Sequence, residues 1–249
     1  MKLSSWSIFL ALFLIPSVYQ GQTVSSSAKD YLDRGAAQFQ RGDLEGALAD
    51  FTRAIEINPR FAEAYTMRGI VRIEKDELDG AIADFTKAIE IDPRFHEAYH
   101  ERGNAYARKG DFDRAIADFN KAIEIDPTCA EAYFCRAHCH VESRDLDRAI
   151  ADYTKAIEIS PRFAEAYSYR GLAYLGKLDL DRSIADFTKA IEINPRFARA
   201  YGDRGLLLLV QGYDAEAQRD FEMCFSIDRS LKAHYQQKAN MIKQSRKSR

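Results

Sequence analysis

Apolar residues recur along most of this chain with the period of a helix, and nowhere with the strict alternation of a strand. Near the middle, Ala115, Ile116, Phe119, Ala122 and Ile123 fall at i, i+1, i+4, i+7 and i+8, with Asp118, Lys121 and Glu124 off that stripe. The pattern predicts two short helices here, His96 to Lys109 and Asp113 to Ile125. Between them, Gly110 permits a left-handed backbone and Asp111 can accept bonds from free helical N–H groups. Asp126 and Pro127 then end the second helix, because proline disfavours helical geometry in the residue before it.

The same unit returns along the chain. Pro59, Pro93, Pro127, Pro161 and Pro195 lie 34 residues apart. Two residues after each stands Phe61, Phe95, Cys129, Phe163 or Phe197, and six after it Tyr65, Tyr99, Tyr133, Tyr167 or Tyr201. Extended in both directions, the frame gives six copies, at 28–61, 62–95, 96–129, 130–163, 164–197 and 198–231. One helix pair cannot bury its apolar face, whereas stacked pairs share a continuous interior. The last pair therefore needs a lid, and Leu231, Tyr235, Ala239 and Ile242 have the spacing of a capping helix ending near Gln244. No such lid precedes the first copy, and 22–27 is expected to be disordered.

Tyr99, Gly103, Tyr106, Ala115, Phe119, Ala122 and Pro127 match the spacing of the tetratricopeptide repeat, and the chain resembles that family over about four fifths of its length. The resemblance implies an all-α, right-handed α-solenoid of six helix-turn-helix repeats, whose first helices line a concave groove for a protein or peptide. Carried onto this sequence, the second, fifth and ninth places of the copies are candidate partner-binding positions. They give Glu63, Thr66, Ile70, Glu97, His100, Asn104, Glu131, Phe134, His138, Glu165, Ser168, Leu172 and Arg199. These residues vary while the apolar places do not, and their acidic centre implies a basic or mixed ligand. Relaxed drift on an idle surface would give the same variation. Members that grip a C-terminal carboxylate use lysine and asparagine in the groove, and here only Asn104 fits.

One departure from the family is systematic. Where leucine usually precedes the glycine, this chain has Arg34, Arg68, Arg102, Arg136, Arg170 and Arg204. Sixteen residues after each stands Asp50, Asp84, Asp118, Asp152, Asp186 or Asp220. An arginine at a normally buried place needs an anion, and the guanidinium fork fits a carboxylate, so the two are expected to pair between the helices of a repeat. A catalytic pair has no reason to be copied six times, so these are expected to be structural ion pairs.

Charge sharpens the picture. The formal net of −2 hides a body, 28–231, with 29 bases against 38 acids, and a tail from Lys232 to Arg249 with six bases and no acid. So acidic a body would repel a phosphate backbone, which disfavours nucleic acid as a partner. The first residues form a third region: Met1 and Lys2, then a run from Trp6 to Ile15 that is apolar apart from Ser7. This run is roughly half the ~20 residues a transmembrane helix needs, and it reads as a signal peptide over 1–21 with an unclear cleavage point. An exported protein, periplasmic or secreted, is expected, with a membrane-anchored form through an uncleaved signal as the alternative. The absence of cysteine before Cys129 excludes a lipid-modified bacterial N-terminus.

Copy four alone is rich in potential ligands: Cys129, Cys135, His138, Cys139 and His140. A metal set would be His100, Cys135, His138 and Cys139, but no paired C-x2-C motif supports it. Cys135 and Cys139, at i and i+4, are too far apart to form a disulfide, and free buried thiols are expected for all four cysteines. No nucleophile, metalloprotease or phosphate-cradling motif occurs, so neither a catalytic site nor a cofactor is expected. The reading is a non-catalytic interaction scaffold. Its alternatives are a metal or redox-thiol carrier centred on copy four and a structural spacer or self-assembling array.

Overall fold

The computed structural model describes residues 27–247, and among these it contains thirteen α-helices, one short 3-10 turn and no strand. The chain divides into two compact units at Ile125/Asp126. The first holds three helix pairs: α1 (Ala28–Gln40) with α2 (Leu44–Ile57), α3 (Ala62–Glu74) with α4 (Leu78–Ile91), and α5 (His96–Arg108) with α6 (Phe112–Ile125). The second holds α7 (Ala130–Glu142) with α8 (Leu146–Ile159), α9 (Ala164–Gly176) with α10 (Leu180–Ile193), and α11 (Ala198–Gln211) with α12 (Asp214–Ile227). A turn at Arg229–Leu231 and α13 (Lys232–Lys247) follow. The fold is the expected all-α solenoid of repeats, with helix limits within a residue or so of those read from the pattern. The signal segment and 22–26 lie outside the described residues. Ser27, assigned to the disordered segment, is instead the N-cap of α1, where its hydroxyl and the Asp30 carboxylate close a capping box.

The turns use the residues that the sequence offers. Gly42, Gly110 and Gly212 take φ of 80°, 79° and 92° between the helices of their repeats. The following Asp43 and Asp111 accept bonds from Gly46 N and Arg114 N at 2.9 and 3.2 Å. At the same left-handed place the other copies carry Asp76, Arg144 and Leu178, with φ of 61–62°. Between repeats, Asn58, Asp92 and Asn194 accept from the backbone N–H two residues on, at 2.9–3.1 Å. These are Asx turns, which hold the chain direction before the next helix starts.

In the interior, second-helix alanines and aromatics such as Ala47, Phe51, Ala54, Ala81, Phe85 and Ala88 are fully buried. The aromatic ring lies against the first helix so closely that a Cβ at Gly35 or Gly69 would come within 2.7 or 2.6 Å of Phe51 or Phe85. Copy four changes both partners: Ala137 replaces the glycine and Tyr153 the phenylalanine. Tyr153 is fully buried, and among the described residues its hydroxyl has no hydrogen-bond partner. Burial pushes that phenol far above its ordinary range, so it stays neutral.

All six expected ion pairs form, each with two bonds from one guanidinium edge. Arg34 meets Asp50 at 2.6 and 2.5 Å, Arg68 meets Asp84 at 2.9 and 2.7 Å, and Arg102 meets Asp118 at 2.7 and 2.7 Å. Arg136 meets Asp152 at 2.7 and 2.6 Å, and Arg170 and Arg204 meet Asp186 and Asp220 at 2.8 Å throughout. Each guanidinium also lies 4.8–5.8 Å from the ring of the tyrosine three residues before it. A third bond runs backward. The free Nη1 of Arg68, Arg102, Arg170 and Arg204 donates to Thr52, Thr86, Thr154 and Thr188 of the preceding repeat at 3.0–3.3 Å. Arg34, the bridge arginine of the first copy, is 55% exposed, against 15% for Arg68 one repeat on. The aspartates are 3–7% exposed, so a lost arginine would strand a buried charge at a cost of about 3–5 kcal/mol.

A second link between repeats lies at the turns within them. Lys75 pairs with Glu45 at 2.5 Å, Lys109 pairs with Asp79, Lys177 pairs with Asp147, and Gln211 donates to Asp181 at 3.0 Å. At the end of the second unit, α13 packs on α11 and α12 as the expected cap, although it runs through Lys247 rather than stopping near Gln244. Its own Tyr235 and Ala239 are the buried face, with Leu231 and Ile242 against the same cluster. The Tyr235 hydroxyl donates to Asp203 at 2.9 Å.

Two substitutions test this packing. Tyr153→Phe restores the residue of the other copies and removes an unsatisfied hydroxyl, so thermal unfolding should show a gain of about 1–3 kcal/mol; a lower Tm would mean that the hydroxyl has a partner. Leu178→Gly should raise Tm by roughly 3 °C, because a non-glycine residue in the left-handed region costs about 1–2 kcal/mol; an unchanged or lower Tm would show that the leucine is not strained.

Candidate functional site

In the first unit the first helices are neighbours, α1 against α3 and α3 against α5. Their second, fifth and ninth places do not all face outward. Glu63 is exposed, Ile70 is half-buried, and Thr66 is buried at 4% exposure. Thr66 therefore does not face a ligand as expected: on α3 the fifth place is turned inward, where this small side chain fits the helix packing. On α5, Glu97, His100 and Asn104 are half-buried, and His100 and Asn104 gather with Glu101 into one polar cluster. His96 Nδ1 lies 3.0 Å from Glu97, and His100 Nδ1 3.2 Å from Glu101. Asn104 donates to Glu101 at 3.3 Å, and the His100 ring tilts against Phe119 at 5.7 Å. Burial raises the Glu101 carboxyl, but the bond and charge of His100 and the bond from Asn104 outweigh it and hold the group below its ordinary value. Glu101 is thus the fixed anion of the cluster, and the second-, fifth- and ninth-place rule passed over it because it stands at the sixth place.

In the second unit Glu131 and Arg199 are exposed, Glu165 is half-buried and Leu172 is 40% exposed. Ser168, at 4% exposure, is turned inward like Thr66 and does not face a ligand as expected. Phe134 belongs to an aromatic cluster, with ring centroids 4.9 Å from Phe163, 5.4 Å from Tyr169 and 5.6 Å from Tyr153. His138 stands edge-on to Tyr169 at 5.8 Å, and burial lowers its pKa, which favours the neutral imidazole. Phe134 and His138 therefore form a largely packed wall, while Glu131, Leu172 and Arg199 reach solvent.

The cysteines carry no bridge. Cys139 and Cys224 are buried, and burial pushes their thiols up to about 12 and about 11, so both stay protonated. Cys129 and Cys135 are half-buried, less enclosed than expected; Cys129 is the N-cap of α7, at a place where phenylalanine stands in four other copies. Among the described residues no three His, Cys, Asp or Glu side chains are placed to hold a metal ion, and His100, Cys135, His138 and Cys139 are not assembled as one. His140, the remaining histidine of copy four, lies instead 3.8 Å from Asp152, beside Arg136. The threonine ends of the arginine bridges were missed in the sequence, although Thr52, Thr86, Thr154 and Thr188 recur in the same frame.

Comparison with known proteins agrees with this architecture. A tetratricopeptide repeat model matches residues 96–129 and 164–197, and a TPR repeat model matches 35–75, 69–110 and 138–177. Among solved structures, MamA is 29% identical with a TM-score of 0.61, covering 68% of this chain and 99% of that one. YrrB, described as a TPR protein with an unusual peptide-binding site, is 24% identical with a TM-score of 0.59, covering 75% and 97%. A tetratricopeptide repeat protein from Parabacteroides merdae ATCC 43184 is 19% identical with a TM-score of 0.65, covering 89% and 92%. A search of curated protein sequences finds no significant match. The family models together span more than half of the chain, and the chain belongs to the tetratricopeptide repeat family, whose members mediate protein–protein and protein–peptide interactions.

Proposed function

We propose that this protein is a preorganised binding scaffold that holds a segment of a partner protein or peptide against its first helices. One observation carries the reading: the interior and the arginine bridges repeat almost unchanged, while the fifth and ninth places of the first helices differ from copy to copy beside a second place that is glutamate in four copies. Ile70 on α3 and His100 and Asn104 on α5 in the first unit, and Leu172 on α9 in the second, stand beside the recurring Glu63, Glu97, Glu131 and Glu165, and Arg199 on α11 reverses that charge. A framework held by bidentate pairs loses little freedom when a flexible ligand docks, so modest contacts can sum to useful affinity. The surplus of glutamate favours a basic or mixed ligand, whose association would weaken with salt. The printed description of YrrB as peptide-binding agrees with this class of ligand.

The apolar run at the N-terminus makes the exported fraction the place to look for the partner. Among the described residues no helix is long and apolar enough to cross a membrane.

The test is affinity capture from that fraction with the wild-type chain and with a Glu97→Lys/Glu131→Lys variant. The variant should retain the wild-type circular dichroism and lose at least roughly tenfold in capture of a basic partner at low salt, which corresponds to about 1.4 kcal/mol. Equal capture by both proteins would contradict this placement of the ligand.

A further inference from the structure

The turn edge of repeats five and six, joined by the end of α13, has a composition that binding along the first helices leaves unexplained. Leu178 stands at the left-handed place between α9 and α10, where other copies carry glycine, aspartate or arginine. It is 83% exposed, so it contributes little to the core, yet it imposes a strained backbone. Leu178 borders a shallow open depression with Lys177, Leu180 and Gln211. On the next turn, Tyr213 and Val210 flank Gln211 and are 54% and 48% exposed. Three apolar tips thus protrude along one edge.

The same edge receives the basic end of the chain. Arg246 donates to the Leu209 carbonyl at 3.1 Å and to Asp214 at 2.7 and 3.1 Å, which fixes the last turns of α13 beside Gly212 and Tyr213. Three acids of the edge are paired with cations, Asp147 with Lys177, Asp179 with Arg182 and Asp214 with Arg246, while Asp181 accepts from the neutral Gln211 and keeps its charge. Lys243, whose charge also acts on Asp214, and Lys247 add positive charge, exposed on α13 with no acidic residue anywhere from Lys232 to the C-terminus.

From this juxtaposition we propose that the edge formed by Leu178, Val210, Tyr213, Lys243 and Lys247 docks on an anionic lipid surface. Separate aliphatic tips fit a fluid interface, which needs no complementary pocket, and a tyrosine suits the headgroup layer. Lysines on the neighbouring helix supply the electrostatic half of such binding, each worth a several-fold gain in partition onto anionic headgroups. A protein with an acidic, apolar face is the competing occupant, and it would leave lipid vesicles unbound.

The experiment uses the full chain with Trp6→Phe and Leu178→Trp, so that the single indole reports from the edge alone. Vesicles of phosphatidylglycerol and phosphatidylcholine should shift its emission to the blue, and bromine-labelled lipid should quench it. Vesicles of phosphatidylcholine alone should do neither. Adding Lys243→Gln and Lys247→Gln should weaken partition onto the anionic vesicles ~30-fold, with the circular dichroism unchanged. An indole that stays unshifted with anionic vesicles, that responds equally to neutral ones, or that ignores loss of the lysines would overturn the proposal.

Discussion

The bidentate bond between an arginine of each first helix and an aspartate of the second is the constraint on which the rest of this structure depends. Helix pairs of this size have little interior of their own, and a family leucine would have joined them by apolar contact alone. Here a guanidinium occupies that place, and three things follow. It must be neutralised, which the buried aspartate does with two bonds of fixed geometry. Its flat face must be covered, which the tyrosine three residues earlier does. Its remaining nitrogen must be satisfied, and within each unit it reaches back to a threonine of the preceding repeat. In copies four and five that threonine hydroxyl, of Thr154 or Thr188, donates in turn to the carbonyl four residues before it, so the chain of polar bonds closes on the backbone.

This arrangement separates two duties that a small helical protein usually mixes. Packing is fixed by alanines, aromatic rings and the arginine bridges, with the lysine-to-acid links at the turns as a second tie between repeats. The fifth and ninth places of the first helices take no part in those bridges and differ from copy to copy. The polar cluster about Glu101 on α5 and the aromatic wall of Phe134, His138 and Tyr169 in the second unit occupy comparable positions on the same framework and have nothing chemical in common. Binding a partner requires such local differences on a frame that does not itself vary.

Much of this was legible in the sequence because the repeat gives several readings of every place. The period of the prolines fixed the helix pairs, and the six arginine-aspartate separations were enough to foresee each ion pair. The misses have physical causes. Thr66 and Ser168 read as outward because a helical wheel cannot show how closely the next first helix approaches. Glu101 was passed over because its environment depends on His100 and Asn104 folding over it, which no spacing rule encodes. Ser27 looked like the end of a polar linker, yet a serine three residues before an aspartate is also a capping box. The missing partner of the Tyr153 hydroxyl and the strain at Leu178 are features of three-dimensional placement, visible only once the neighbouring atoms are known.

The central claim is that the arginine ties consecutive repeats as well as the helices of its own repeat, and a double-mutant cycle measures this directly. One arm replaces the Arg102 and Asp118 pair with methionine and leucine, which avoids stranding a buried charge, and the other arm is Thr86→Val. Denaturant unfolding of the four proteins should give a coupling of about 1.5 kcal/mol between the pair and the threonine, the size of a hydrogen bond to a charged group. Strict additivity of the two changes would contradict the claim and leave the ion pair as a tie within one repeat.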